Sequence, residues 1–408
     1  MTTDLRVLEP EHWDHWYGRL ERAFGGADDA EERALWRDLT EFERSLAVWD
    51  GGEVVGTAGA FSFQVSVPGG AAVPAAGVTM VSVQATHRRR GVLTSMMRRL
   101  LDDVRGRGEP LAVLTASEPG IYGRFGYGLA TRQMRIEPDT DRVRVLAPPE
   151  ADGVRLRVAD PREAVDACEA VYARRVPLRP GAPVRPPGWE HLPLLTGQWR
   201  REGAGELLCV LAERDGEVTG YARYAVSPAW EFTGPRGAVL LRDLEALDPV
   251  TCAALWRYLF SVDLTSSVRA GNRPVDDPLL HLVSDVRRCD VRVRDGMFLR
   301  VVEVGAALTA RAYAAPVDVV LEVTDPFCPW NEGRWRLSGD AKGASCERTG
   351  DAADLVVGAT ELGSLHLGGV SAAGLAAAGR IREVRAGALA ELETAFHSPL
   401  APWLPHGF

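Results

Sequence analysis

Apolar positions in the first forty residues recur with helical spacing. Trp13, Trp16, Tyr17, Leu20 and Phe24 fall on one helical face, and "DAEERALWRDL" (29–39) predicts a second helix. The period then shortens. "LAVWDGGEVVGTAGAF" (46–61) reads as two strands joined by a glycine turn, "VPGGAAVPAAG" (67–77) as a loop and "VTMVSV" (78–83) as a buried strand. Val92, Leu93, Met96, Met97, Leu100, Leu101 and Val104 return to i, i+3, i+4 spacing, predicting an amphipathic helix that stops near Gly106 and Gly108. A further buried strand, "LAVLTAS" (111–117), follows.

The same grammar returns in the middle of the chain. "VLAERDGEVTGYARYAV" (210–226) repeats the hairpin, and "GAVLLRDLEALDPVTCAALWRYLF" (237–260) repeats strand, short loop and amphipathic helix. The second copy carries "LDPVT" where the first carries "RRRGVL", so it reads as a diverged duplication that has lost the chemistry of its loop; a chance match of two common α/β patterns is the alternative. Past residue 292 the texture changes to alternating segments, among them "GMFLRVVEVG", "DVVLEVTD", "RWRLSG" and "ADLVVGAT", with helical patterns at "ALTARAY" and "SAAGLAAAGRI". The end, "AFHSPLAPWLPHGF", reads as an extended tail whose aromatic residues suit packing better than fraying.

Composition narrows the classes. The 408 residues, 46% hydrophobic and 25% charged, are those of a globular protein with several cores, and the net charge of −9 argues against general nucleic-acid binding. An acidic chain favours cationic ligands. Six cysteines without close pairing read as reduced thiols, no secretion signal or membrane-spanning run is evident, and a cytoplasmic location with no bound metal is expected.

Candidate chemistry concentrates at "THRRRGVLTSMM" (86–97). A helix start offers unpaired amide N–H groups and a partial positive charge. Gly91 lets the backbone come close to a phosphate, and Arg89 and Arg90 add charge and bidentate donors. Such a loop suits a pyrophosphate; a solvated basic turn is the other reading of the run. No Gly-Lys-Ser/Thr loop or dinucleotide fingerprint is present.

"VSVQATHRRRGVLTSMMRRLL" resembles the coenzyme-binding motif of GNAT acetyltransferases, with Leu93 replacing the usual final small residue, and "SEPGIYGRFGYG" (117–128) resembles that superfamily's tyrosine-bearing segment. Together with "DPLLHL" (277–282), "RDGMFLR" (294–300) and a terminal Phe, they resemble the Eis family of actinobacterial N-acetyltransferases over essentially the whole chain. The resemblance implies mixed α/β sheets in three parts: a catalytic GNAT domain (1–150), a degenerate GNAT-like domain without cofactor (151–292) and a sterol-carrier-like domain (293–408) whose tail reaches the active site. It also implies a homohexamer.

Acetyl-CoA is the implied cosubstrate. Arg89, Arg90, Gly91, Val92, Leu93 and Thr94 would hold its pyrophosphate, the backbone of Val81, Ser82 and Val83 would align the pantetheine arm, and Ser117 and Glu118 would line the edge. Tyr122 is the candidate general acid: a phenol of reference pKa about 10 can protonate a thiolate of pKa about 8.5. A structural tyrosine is the alternative there, and Tyr127 holds the motif's packing position. The resemblance makes the α-carboxylate of Phe408 the base, and Phe24 and Trp36 match aromatic positions of the family's acceptor pocket. "FGGADD" does not keep the family's acidic pocket residue in register, so the expected acceptors are primary amines of small cationic molecules, aminoglycoside-like or lysine-type. Two other readings remain open here: an apolar-ligand carrier with a vestigial acetyltransferase half, and a DNA-associated regulator, which the acidic total opposes.

Overall fold

The computed structural model describes residues 3–26, 28–197 and 203–408. The chain divides into two compact units: Met1–Thr131, Arg179–Val184 and Gly296–Phe408 form the first, Arg132–Leu178 and Arg185–Asp295 the second.

The first unit opens with strand β1 (Asp4–Val7), helix α1 (Trp13–Phe24) and helix α2 (Ala30–Leu39). In α1 Trp13, Trp16, Tyr17 and Leu20 are buried, as their spacing predicts, whereas Phe24 is exposed in the last turn. Asp29 caps α2, accepting a 2.9 Å hydrogen bond from the Glu32 amide. The hairpin follows as β2 (Leu46–Asp50) and β3 (Glu53–Ser66). Strand β4 (Ala72–Val83) begins well before the predicted Val78: only the turn at Gly69 and Gly70, both with positive φ, is loop. The small residues Ala75, Ala76 and Gly77, read as loop from composition, are a buried part of the ladder. Helix α3 (Val92–Gly106) then lays Val92, Met96, Met97, Leu100, Leu101 and Val104 on the sheet, and β5 (Leu111–Thr115) runs parallel to β4. Each such side chain contributes on the order of 1.5–3 kcal/mol by leaving water.

The sheet is completed from far along the sequence. Met297–Val301 pairs antiparallel with β5, Gly128–Leu129 pairs with it in turn, and Pro183–Val184 pairs with the end of β3. Alternation at 297–301 announces a strand but not its partner; the structure puts it in the first sheet, not with the C-terminal strands whose texture it shares. Those C-terminal strands form a five-stranded sheet in the order 343–348, 333–340, 317–324, 355–358, 381–383, with helices at Val304–Thr309, Ala359–Leu365, Ala372–Ala377 and Ala388–Phe396. A fully buried pair joins this sheet to the first: the Arg300 guanidinium lies 2.5 Å from the Asp325 carboxylate, which also accepts a 2.9 Å bond from Asn331.

The second unit repeats the plan. Leu208–Arg214 and Glu217–Ser227 form the hairpin, Gly237–Ala246 continues the sheet, helix Pro249–Phe260 crosses over, and Thr265–Arg273 returns parallel to Gly237–Ala246. Arg132–Ile136, Arg155–Ala159 and Arg292–Asp295 complete seven strands. The duplication read from the hairpin and crossover patterns is therefore present as a repeated topology.

One buried titratable group has a consequence for stability. His366 follows helix Ala359–Leu365, is fully buried, and neither ring nitrogen has a hydrogen-bond partner among the described residues. Burial, reinforced by the Arg311 guanidinium, pushes its pKa down to about 3. Between about 6.5 and 3 the unfolded chain binds a proton that the folded chain refuses, so this contribution is complete above about pH 6.5 and is lost as pH falls towards 3. Urea titrations across that range are expected to show a smaller acid loss of stability for His366→Leu than for the unaltered protein.

Candidate functional site

The site begins where two strands part. β4 and β5 share only the pairs Ala75–Leu111, Ala76–Ala112 and Gly77–Val113. Beyond Gly77, Val78–Val83 has β3 on one side and, among the described residues, no strand on the other. A bulge accompanies the parting: Thr57 pairs with Ser82 and Gly59 with Thr79, so Met80 and Val81 oppose the single residue Ala58. Met80 takes φ +53°, a left-handed conformation that costs a methionine, and the Thr57 hydroxyl holds it by donating 2.8 Å to the Met80 carbonyl. The Ser82 hydroxyl lies 2.7 Å from the same Thr57 oxygen. Val81, Ser82 and Val83 are thus half-buried, with one backbone edge open to an amide-bearing arm.

The arginine turn lies beyond β4. His87, between Thr86 at 2.9 Å and the Asp50 carboxylate at 3.0 Å, ties its start to the β2–β3 hairpin. Arg88, Arg89 and Arg90 are exposed, and among the described residues none is in an ion pair. Gly91 is the N-cap of α3 with φ +84°, open space where a Cβ would stand, and no side-chain cap. Among the described residues no carboxylate or hydroxyl caps the first amides of α3. Val92 is buried, Leu93 half-buried and Thr94 exposed on the first turn. This donor set can take a diphosphate.

The repeated loop of the second unit differs at this point. Asp248 caps helix Pro249–Phe260, accepting from the Thr251 amide at 2.9 Å and the Thr251 hydroxyl at 2.7 Å. Against the opposing effect of burial, these bonds and the Arg214 guanidinium hold its carboxyl below the usual range. A fixed anion fills the place that a phosphate would need.

Ser117 and Glu118 are exposed just after β5, and Tyr122 is half-buried in the 3₁₀ turn Pro119–Phe125. Burial, with the Glu118 carboxylate adding to it, raises the Tyr122 phenol above its usual pKa. Its ring meets Tyr127 edge-on at 5.9 Å, and Tyr127 is buried, as its packing position in the motif predicts.

The C-terminal tail supplies the third wall. Trp403 and Leu404 are buried, and the Phe408 ring packs against Phe63 at 5.0 Å. One carbon of that ring lies 3.3 Å from where a Cβ on Gly77 would stand. Gly77 is the residue at which the β4–β5 ladder ends, so only a residue without a side chain lets both rings approach there. The aromatic row continues from Phe63 to Phe61 at 6.0 Å and from Phe61 to Trp36 at 6.2 Å. Trp36 thus belongs to a wall that also contains Phe408, whereas Phe24 has no ring partner among the described residues. Phe61, Phe63, Gly77 and Thr57 were not singled out by the sequence reading; the two-residue spacing of Phe61 and Phe63 on a strand was the available signal for a shared face.

Comparison with known proteins gives the family of the chain. Residues 4–130 and 181–301 each match an acetyltransferase (GNAT) domain model, and residues 304–405 match a sterol carrier protein domain. The chain is 36% identical to the N-acetyltransferase Eis of Mycobacterium tuberculosis, with 98% of each chain covered. The chain belongs to the Eis family of N-acetyltransferases. An uncharacterized N-acetyltransferase of Streptomyces avermitilis is 64% identical over the full length of both chains. The crystal structure of Eis1 from Mycobacterium abscessus superposes with a TM-score of 0.85 at 33% identity over the whole of both chains. Like GNAT acetyltransferases generally, an Eis-family enzyme uses acetyl-CoA as cosubstrate. No helix among the described residues is long and apolar enough to cross a membrane.

The contrast between the two helix starts can be measured. Gly91→Ala forces an alanine into positive φ, which costs about 1 kcal/mol of stability, and is expected to raise KM for acetyl-CoA. Asp248→Ala loses a cap, again about 1 kcal/mol, and is expected to leave acetyl-CoA kinetics unchanged. Urea melts and steady-state assays on both variants check the pair.

Proposed function

We propose that this Eis-family enzyme transfers the acetyl group of acetyl-CoA directly to primary amines of small cationic molecules, aminoglycoside-like or lysine-type. The observation that carries the reading is the packing of Phe408 against Gly77, at the point where β4 and β5 separate. Catalysis is assigned to residues 1–150, with 151–292 as a copy without coenzyme chemistry and 293–408 as the source of the tail.

In this reading Arg89, Arg90 and the backbone from Gly91 through Thr94 hold the pyrophosphate. The open edge of Val81, Ser82 and Val83 bonds the pantetheine arm as a further strand would, and Ser117 and Glu118 line the cofactor edge. The amine nitrogen attacks the thioester carbonyl, forming the C–N bond. Collapse of the tetrahedral state breaks the C–S bond, and the departing thiolate takes the Tyr122 proton. The nitrogen's surplus proton goes to the Phe408 α-carboxylate. A carboxylate of reference pKa about 3.5 is a weak base in water, and desolvation on acceptor binding is the general means of strengthening such a base.

Half-buried Trp36, backed by the buried rings of Phe61 and Phe63, offers an aromatic face to a cationic acceptor, Phe24 is the second aromatic acceptor position that the family resemblance implies, and the net charge of −9 favours such ligands. The proposed form is a cytoplasmic homohexamer, as the family resemblance implies. Light scattering is expected to give a mass near six chains.

Acetyl-CoA turnover with aminoglycosides and diamines is expected to fall by about 10²–10⁴ in kcat for Tyr122→Phe and for deletion of Phe408. A phenol raised above its ordinary pKa stays protonated further into base, so the alkaline limb set by Tyr122 is expected above about pH 10. Full activity in both variants would discard this acid–base assignment.

A further inference from the structure

We infer that the segment Arg179–Val184 is a strap that positions the Phe408 carboxylate, with Arg179 as its positioning residue; this rests on the reading of Phe408 as the base. The six residues bond on two sides. On one side they extend β3: Val184 pairs with Gln64 and Pro183 with Val65, the Ser66 amide donates 2.9 Å to the Ala182 carbonyl, and the Gly181 amide donates 2.8 Å to the Ser66 carbonyl. On the other side they hold the tail. The buried Arg179 guanidinium donates 2.8 Å to the Ala401 carbonyl, and the Trp403 amide donates 2.9 Å to the Pro180 carbonyl.

Two further features show that this contact is built into the fold. Gly181 has φ +91°, and a Cβ there would stand 3.0 Å from the Trp403 carbonyl oxygen and 3.2 Å from the Thr131 methyl. A side chain there would be strained by that φ and would press on the tail as it passes. β3, which receives the strap, also carries Phe61 and Phe63, so a single strand sets both the strap and the rings against which the tail ends.

The size of the effect follows from geometry at the reacting centre. A misplacement of the base near 1 Å can alone cost up to about a hundredfold in rate, so contacts that fix the path of the tail bear on kcat.

The test is a double-mutant cycle between Arg179→Ala and deletion of Phe408, with kcat and KM for acetyl-CoA measured in the full chain. The expected result is a kcat lower by about tenfold for Arg179→Ala with KM for acetyl-CoA unchanged, and no further loss when Phe408 is already absent. A purely structural role would instead lower kcat by the same factor in both backgrounds, which overturns the inference. Loss of activity on deleting Phe408 beside a full-rate Arg179→Ala overturns the strap alone. A full-rate Phe408 deletion overturns the base assignment and the strap with it. Hydrogen exchange on the unaltered enzyme needs no variant to fold: the Trp403 amide is expected to be protected as well as the β3–β4 ladder, and exchange at the rate of an open chain overturns the inference.

Discussion

The parting of β4 from β5 after Gly77 is the constraint on which the rest of the molecule depends. A continued ladder would satisfy the backbone of Val78–Val83 within the sheet and close the cleft. The bulge at Met80 and Val81 bends β4 away instead, and the Thr57 hydroxyl stabilises the strained carbonyl on the far side. The same unit also holds a helix start with no side-chain cap, three arginines in no ion pair among the described residues, a tyrosine whose phenol burial raises, and a chain end packed at Gly77. Each is ordinary alone. The proposed acetyl transfer uses them together.

Local periodicity made the helices of the first unit and most of its strands legible, because their apolar faces are wide. The failures have physical causes. Ala75, Ala76 and Gly77 look like loop in composition, yet a strand packed closely on Phe63 and Phe408 has room only for small residues. Met297–Val301 alternates as a strand should, but alternation cannot name a partner across nearly two hundred residues. Phe24 matched the helical period and still emerged at the surface, since the last turn of α1 runs past the core.

The candidate site was legible where it is local. The turn at Arg88–Gly91 and the segment around Tyr122 are short runs whose residue types state their chemistry. The aromatic wall is assembled from Trp36, Phe61, Phe63 and Phe408, which meet only after folding, and nothing near Arg179 in the sequence marks it as a partner of Ala401. The Asp248 cap shows the converse: a single carboxylate at a helix start, visible in "LDPVT", takes up an amide of the kind that the matching helix start of the first unit leaves without a side-chain cap.

Connectivity gives the silent copy a reason to persist. The chain leaves the second unit at Leu178, contributes Arg179–Val184 to the first, and returns at Arg185. The duplicate therefore cannot be excised as one contiguous block without also removing a splint that belongs to its sister. Inheritance of the two halves is locked together by the path of the thread, whether or not the second ever binds a coenzyme.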